Sequence, residues 1–311
     1  MSAYSVRMDH RSIGSLRVSL VGLGCNNFGM RIDETATERV VSAALDAGIN
    51  FFDTADIYGS TKSEEFLGRA LRGRRDRAIL ATKFGMAVDE RRKGARPDYV
   101  RQACDDSLKR LGTDHIDLYQ LHQPDPAVPI ADTLGALDGL VKAGKVREIG
   151  CSNFSTEQLD DAARATAPGA ARFVSVQNEY SLLHREPERS VLPSCERLDI
   201  AFLPFFPLAS GLLTGKYERG KAAPENSRLS LSWTSRFTTD RNVGIAEALK
   251  LFAERRGHTL LELAFSWLAT RPRVASVIAG ATSPEQIRAN AAAVNWSLTK
   301  EELAEIDRLT E

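Results

Sequence analysis

The sequence has no long hydrophobic run and no excess of charge of either sign. No stretch in its 311 residues approaches the ~18 consecutive apolar residues of a membrane-spanning helix. Its 41 lysines and arginines balance 41 aspartates and glutamates, so we expect no general attraction to nucleic acid or to an anionic membrane. The first residues do not combine a cationic start with an apolar stretch, which predicts no secretory signal and a cytoplasmic protein.

Cysteine and histidine are also scarce. The four cysteines stand far apart without a Cys-x-x-Cys pair, which indicates reduced thiols rather than a disulfide framework or a zinc site. They are Cys25, Cys104, Cys151 and Cys195. The five histidines do not supply the clustered ligands of a metal-dependent barrel hydrolase, so no metal is predicted. They are His10, His115, His122, His184 and His258.

Strand-like and helix-like segments alternate along the chain. Short apolar or β-branched runs such as INFFD, AILATK and FVSVQN are each followed by an amphipathic stretch, and eight such units are present. Eight strand–helix units in about 300 residues are typical of a closed (β/α)8 barrel rather than of an open doubly wound sheet. The composition is that of an ordinary globular protein, the alternation predicts an α/β fold, and without a linker residues 1–311 are predicted to form a single domain.

Three segments outside the eight units are predicted to have distinct structures. YSVRMDH and LRVS, on either side of Ser12-Ile13-Gly14, predict an N-terminal β-hairpin that plugs the bottom of the barrel, and TKEELAEIDRL predicts an appended C-terminal helix. Residues 214–242 form the one long irregular segment, and loops of that length are often functional lids. Helix boundaries are indicated by capping serines at 155 and 283 and by glycines at 48, 73, 112, 144 and 257.

Polar side chains close several of the apolar strands. Asp53 ends INFFD, Lys83 ends AILATK, His122 ends IDLYQLH, and Tyr58 follows Asp53 by five residues. In a barrel these positions meet at the carboxyl-terminal rim, where barrel enzymes keep their chemistry. Alone, an Asp53–Lys83 pair is more often structural, but the four together indicate a proton-transfer set. An ammonium beside a tyrosine favours its phenolate, and a histidine can polarise a carbonyl oxygen.

Longer segments resemble the aldo-keto reductase family along essentially the whole chain. They are INFFDTADIYGSTKSEEFLGRAL, AILATKFG, RLGTDHIDLYQLHQPD, VREIGCSNF, VSVQNEYSLL, FFPLASGLLTGKY and VIAGATSPEQIRANAAA. The resemblance implies a (β/α)8 barrel that reduces aldehydes or ketones with NAD(P)H. It also implies that Asp53, Tyr58, Lys83 and His122 are the catalytic residues, with Tyr58 as general acid.

The cofactor is implied by the resemblance and not by a nucleotide-binding motif. Gly22-Leu23-Gly24 does not continue into G-x-G-x-x-G, and GLLTGKY lacks the first glycine of a phosphate-binding loop. The residues implied to hold the nicotinamide carboxamide are Ser152, Asn153 and Gln177. Further implied cofactor contacts are Gly24, Cys25, Asn26, Phe206, Pro207, Leu208, Gly211, Leu213, Lys216, Gly280, Thr282, Ser283, Gln286 and Asn290.

Two positions depart from most relatives. Phe206 stands where a tyrosine usually stacks on the nicotinamide, and it keeps the aromatic face without the hydroxyl. The adenosine end has Thr282, Ser283 and Gln286 where many relatives carry a cation for the 2′-phosphate, although the helix start near Ser283 still offers an anion site. The resemblance implies NADPH as the cofactor, and these residues leave NADH open.

Candidate substrate residues are predicted in the loops around the carboxyl-terminal rim of the barrel. Asn27, Phe28, Gln123 and Trp233 are expected to wall a pocket for a small carbonyl compound. The alternative function is a cofactor-sensing regulatory subunit of the same fold, with little or no turnover. The oligomeric state stays open, with a monomer favoured.

Overall fold

The computed structural model describes residues 8–217, 229 and 232–311, with the side chains of 232 and 233 excepted. Its centre is an eight-stranded parallel sheet in the order β10-β3-β4-β5-β6-β7-β8-β9. The strands are β3 (Val21–Gly24), β4 (Phe51–Asp53), β5 (Ile79–Phe84), β6 (Ile116–Leu121), β7 (Val146–Ser152), β8 (Phe173–Glu179), β9 (Ala201–Phe205) and β10 (Val277–Gly280).

The sheet curls into a nearly closed barrel. β9 meets the segment before β10, where the amide of Phe202 donates to the carbonyl of Arg273 at 2.7 Å and the amide of Ala275 donates to the carbonyl of Phe202 at 3.0 Å. These bonds join the two ends of the sheet. The predicted (β/α)8 barrel is confirmed.

Helices surround the barrel and lie between its strands along the chain. They are α1 (Glu34–Asp46), α2 (Lys62–Ala70), α3 (Pro97–Leu111), α4 (Ile130–Lys142), α5 (Thr156–Ala165), α6 (Val191–Leu198), α7 (Asp240–Glu254), α8 (Leu260–Ala269), α9 (Pro284–Ala292) and α10 (Lys300–Thr310). The predicted caps are present: Ser155 and Ser283 accept from the third residues of their helices. The five predicted glycines all have φ between 63° and 81°.

Helix α8 is an element that the sequence analysis missed. Its sequence LLELAFSWLA is buried at seven of ten positions, from Leu260 to Leu268. Because both sides of the helix are covered, it lacks the amphipathic period by which a surface helix is recognised. The capping box of Thr259 and Glu262 is the sequence signal that marks its start.

The N-terminal hairpin closes the bottom of the barrel. β1 (His10–Ile13) and β2 (Leu16–Ser19) pair antiparallel, and Ile13, Leu16 and Val18 are almost fully buried. These three residues belong to an apolar cluster with barrel side chains such as Phe51 and Leu118, separate from the larger cluster between barrel and helices. The predicted plug is confirmed for residues 10–19, while residues 4–7 of that prediction lie outside the described part. Most of the predicted lid at 214–242 also lies outside it.

Candidate active site

A cleft of about 1050 Å³ opens at the carboxyl ends of the strands. Strands β3, β4, β7, β8, β9 and β10 each end in it, and the loops after β5 and β6 contribute Met86 and His122. The opposite end of the barrel is closed by the hairpin, so the strand ends lead to this one open face. Barrel enzymes build their sites on it.

Asp53 and Lys83 form a buried ion pair at the floor of the cleft. The Lys83 ammonium donates to Oδ2 of Asp53 at 2.7 Å and to the carbonyl of Thr54 at 2.9 Å. Lys83 is 0% exposed and Asp53 is 4% exposed. Burial lowers the pKa of Lys83, but Asp53 and the Tyr58 hydroxyl outweigh it, so the net pKa lies above the ordinary value. Lys83 therefore remains a cation.

Tyr58 lies between the ion pair and His122. The Lys83 nitrogen is 5.2 Å from the centroid of the Tyr58 ring, and the His122 ring meets the same ring edge-on at a centroid distance of 5.8 Å. The next residue, Gly59, has φ +58°, and a Cβ there would lie 2.4 Å from the carbonyl of Phe28. Glycine is thus required for the turn that presents Tyr58.

His122 is neutral in this environment. Burial, followed by the charge of Lys83, lowers its pKa to about 3. Its Nδ1 is buried without a hydrogen-bond partner among the described residues. A neutral imidazole carries one N–H, so His122 can donate one hydrogen bond to a ligand oxygen without carrying charge.

Three amide and hydroxyl side chains connect the next two strands to this cluster. Ser152 donates to the carbonyl of Gln177 at 2.7 Å, and Asn153 donates to the carbonyl of His122 at 2.9 Å. Asn153 has φ +62°, a left-handed conformation that asparagine tolerates better than most residues. Gln177 donates through Nε2 to Oδ1 of Asp53 at 3.0 Å. These residues are joined to the Asp53–Lys83–Tyr58–His122 cluster.

The predicted cofactor residues largely share the same cleft. Those that line it are Gly24, Asn26, Ser152, Asn153, Gln177, Phe206, Pro207, Leu208, Gly211, Lys216, Gly280, Thr282, Gln286 and Asn290. Gly24 and Gly280 are paired across β3 and β10, and a Cβ on Gly280 would approach Nδ2 of Asn27 to 3.0 Å. The two glycines keep this part of the floor open to a ligand.

Three of the residues predicted to contact the cofactor do not line the cleft. Cys25 and Leu213 are 0% exposed and pack in the core, because each lies on the side of the backbone away from the cleft. Ser283 is engaged as the N-cap of α9, where its hydroxyl accepts from Gln286. Their side chains do not line the cleft, and their predicted cofactor contacts stay predictions.

The predicted substrate residues are divided in the same way. Asn27 lines the cleft, whereas Phe28 is fully buried in the core. Gln123 is exposed and does not line the cleft. Trp233 falls in the 3-10 helix Ser232–Phe237, but its side chain lies outside the described residues.

The end of the cleft at α9 is polar. The backbone amide of Thr282 donates to Oε1 of Gln286 at 2.8 Å, and the Thr282 hydroxyl reaches the same oxygen at 3.2 Å. Arg288 contacts Glu285 and is exposed, and it does not line the cleft. Among the described residues, the cations that line it are Arg31 and Lys216. Arg31 was not predicted.

Gln120 and Asp56 are further residues that sequence analysis missed. Gln120 donates through Nε2 to Oδ1 of Asp53 at 3.2 Å. Its signal was present, because a polar residue two positions before His122 shares its face of the strand. Asp56 is 1% exposed, and neither carboxyl oxygen makes a hydrogen bond of normal geometry within the described residues. No sequence pattern distinguished it from a surface aspartate.

The fold and site define a barrel enzyme with a buried proton-transfer cluster. A model of the aldo/keto reductase family matches residues 20–311. The chain is 36% identical over 318 residues to the aldo-keto reductase YhdN of Bacillus subtilis (strain 168), covering 98% of this chain and 94% of the relative. The chain therefore belongs to the aldo-keto reductase family and is an oxidoreductase.

Solved structures agree with this assignment. The glycerol dehydrogenase AKR11B4 from Gluconobacter oxydans has a TM-score of 0.84 and 32% identity, over 97% of this chain and 94% of that one. The holo form of aldo-keto reductase AKR11C1 from Bacillus halodurans has a TM-score of 0.82 and 32% identity, over 98% and 97%. The family uses nicotinamide cofactors and acts on small carbonyl substrates. Among the described residues, no helix is both long and apolar enough to cross a bilayer.

Proposed function

We propose that this protein reduces aldehydes or ketones to alcohols with NADPH, with Tyr58 as general acid. The observation that carries the proposal is the buried Asp53–Lys83 pair against Tyr58, with neutral His122 on the other side of the ring. This arrangement supplies one hydroxyl proton, one permanent cation and one neutral N–H at a single point of the cleft.

The cleft has the features that a nicotinamide cofactor requires. Its length runs from Asp53 and Gln177 to Thr282 and Gln286, and the glycines of β3 and β10 leave its floor open. Ser152, Asn153 and Gln177 would hold the carboxamide, and the ring of Phe206 at the cleft wall would stack on the nicotinamide. When bound, the reduced cofactor supplies a hydride to the carbonyl carbon.

The side chains of this site provide the proton and orient the substrate. His122 donates its N–H to the carbonyl oxygen, which aligns the carbonyl and draws electron density toward oxygen. As the carbon gains the hydride, the π electrons move to the oxygen, and Tyr58 transfers its hydroxyl proton there. The phenolate left on Tyr58 is stabilised by the adjacent Lys83 ammonium. Asp53 holds Lys83 in place through the 2.7 Å contact.

NADPH is the proposed cofactor because the α9 end of the cleft can accommodate an anion. The positive end of the α9 dipole favours a phosphate, and Thr282 and Gln286 line the cleft at this end, with the Thr282 amide donating to Gln286. NADH is the alternative, since Thr282 and Gln286 line this end where many relatives carry a cation for the 2′-phosphate. The buried, unpaired state of all four cysteines supports a reducing compartment such as the cytoplasm. A monomer remains the favoured oligomeric state.

Replacing Tyr58 by phenylalanine tests the chemical role. We expect turnover of small aldehydes to fall by roughly 10²- to 10⁴-fold, the range typical for loss of a general acid. Quenching of intrinsic fluorescence by NADPH and by NADH should be unchanged, because Phe keeps the ring. Tyr99→Phe, which removes a hydroxyl from a buried tyrosine of α3, is the matched control. Full turnover in Tyr58→Phe would exclude Tyr58 as the acid.

The same measurements test the alternative of a regulatory subunit. Tight NADPH binding without turnover of any carbonyl compound would favour it. No observation on the described residues favours a regulatory subunit. The relatives compared above are named as a reductase and a dehydrogenase.

A further inference from the structure

Gln120 donates a hydrogen bond to the Asp53 carboxylate, and the proposed function gives this bond no role. Its Oδ2 accepts from Lys83, and its Oδ1 accepts both from Gln177 at 3.0 Å and from Gln120 at 3.2 Å. Gln177 lines the cleft, whereas Gln120 is 0% exposed and does not line it. One of the two amides can be reached by a ligand, and the other is sealed inside the barrel.

The chemistry of the pair fixes the orientation of the Gln120 amide. An ionised carboxylate only accepts hydrogen bonds, so Gln120 must present its NH2 group to Asp53. Oε1 of Gln120 is buried without a partner within the described residues. The contact with Asp53 is therefore the one polar interaction that holds this amide in place there.

The neighbouring strand provides the space for this side chain. Gly150 of β7 is in register with Gln120 of β6. A Cβ on Gly150 would lie 3.3 Å from Cγ of Gln120 and 2.4 Å from Oγ of Ser175. The absence of a side chain at 150 lets Gln120 lie across the barrel interior toward Asp53.

We propose that Gln120 is a positioning residue, which keeps the Asp53 carboxylate on Lys83 when the cofactor engages Gln177. This inference rests on the proposed function, in which Gln177 binds the nicotinamide carboxamide. Once the Gln177 amide is shared with a ligand, Gln120 is the donor that continues to hold Oδ1. Hydrogen bonds to charged groups are about twice as strong as neutral ones, so this donor helps to hold the carboxylate in place against Lys83. An ionised Asp53 in turn keeps the cation beside Tyr58.

Removal of the donor acts on both members of the ion pair. In Gln120→Met the Asp53 carboxylate loses one of the donors that hold its Oδ1, so its contact with Lys83 is less firmly kept. Lys83 loses part of the partner that keeps it protonated, so activity should be lost at a lower pH on the basic side. The plateau of kcat against pH therefore ends at a lower pH on its basic side.

The test compares three variants in the whole enzyme, measured as kcat and KM from pH 5 to 10 with an aldehyde and NADPH. Gln120→Met removes the donor at similar volume, and we expect kcat to fall roughly 10- to 100-fold, as for loss of a hydrogen bond to a charged group. Affinity for NADPH should stay within about twofold, since Gln120 does not line the cleft. Tyr119→Phe is the control, because the Tyr119 hydroxyl is buried on the same strand and has no hydrogen-bond partner in the described part of the chain.

The pH dependence of Gln120→Glu distinguishes a positioning role of Gln120 from a role in packing alone. A protonated glutamic acid donates the same hydrogen bond, but an ionised one repels Asp53. Activity of this variant should therefore recover toward wild type as the pH falls, which Gln120→Met should not do. If Gln120→Met does not fold, Gln120→Asn replaces it, because this variant keeps the amide but withdraws it from Asp53. The same fall in kcat is then expected.

The outcomes separate this inference from the proposed function. Wild-type pH profiles in Gln120→Met and Gln120→Glu would overturn the positioning role while leaving carbonyl reduction intact. A wild-type protein that reduces no carbonyl compound, or a Tyr58→Phe variant with full activity, would overturn the proposed function itself. A large loss of NADPH affinity in Gln120→Met, with an unchanged pH profile, would assign Gln120 to cofactor binding and also overturn the inference.

Discussion

The Lys83 ammonium lies 5.2 Å from the centroid of the Tyr58 ring, within a site where Lys83 is fully buried. A buried cation is normally costly, and burial by itself lowers the pKa of this lysine. The 2.7 Å contact with Asp53 offsets that cost and keeps Lys83 charged. The site therefore maintains a permanent positive charge beside the hydroxyl to which we assign the proton transfer.

Lys83→Met should lower both turnover and stability. Loss of the cation removes the stabilisation of the Tyr58 phenolate, and we expect kcat to fall by roughly 10²- to 10⁴-fold. The variant also leaves the buried Asp53 carboxylate without its counterion, which should cost roughly 3–5 kcal/mol in the free energy of unfolding. Aldehyde turnover and urea denaturation measure the two effects.

A double variant distinguishes these two roles of the lysine. Asp53→Asn combined with Lys83→Met removes both charges, so much of the lost stability should return while turnover stays low. Equal turnover in the double variant and the wild type would contradict the role of Lys83 in catalysis.

His122 should not titrate across the usual range of assays. Its pKa of about 3 means that it is neutral from about pH 4 upward, because burial and the charge of Lys83 oppose protonation. The dependence of kcat/KM on pH should accordingly show no step near 6.5 that His122 causes. His122→Gln keeps a neutral N–H and should retain more activity than His122→Leu. A wild-type step near pH 6.5 that disappears in His122→Gln would show that the histidine is charged in the working enzyme.

Asp56 should make the protein less stable as the pH rises from 4 to 7. Burial and the nearby Glu64 raise its pKa to about 7, against smaller opposing effects of Arg110, the Ile57 amide and Lys83. Between its ordinary value of 3.8 and about 7, the unfolded chain releases this proton while the folded protein retains it. The free energy of unfolding therefore falls with rising pH over this window, by up to roughly 4 kcal/mol in total.

Asp56→Asn removes this titration. Relative to wild type, the variant should gain stability as the pH is raised from 4 to 8, measured by urea denaturation at each pH. Asp98→Asn, at a carboxyl whose side chain is 81% exposed, is the control and should show no such gain. Parallel curves for wild type and Asp56→Asn would mean that Asp56 ionises in the folded protein as it does in the unfolded chain.

The sequence alone determined the barrel, and it predicted the four residues Asp53, Tyr58, Lys83 and His122 that the structure brings together. Alternation of strand and helix patterns is a local property, and eight repeats leave few ways to bury every strand. Asp53 and Lys83 could be placed on one rim because parallel strands bring their carboxyl ends together. The helix α8 escaped this reasoning, since a helix buried on both sides has no polar face to give it a period.

The tertiary structure alone decided which side chains share contacts. That Gln120 and Gln177 meet the same oxygen of Asp53 depends on the register of neighbouring strands, and one local pattern cannot specify that register. The same limit applies to Phe28 and Gln123, which stand beside site residues in sequence but point into the core or to solvent. Burial of Asp56 likewise arises only when its loop packs against α2 and α3. Sequence order placed residues on the rim, and three-dimensional packing decided which of them face the cleft.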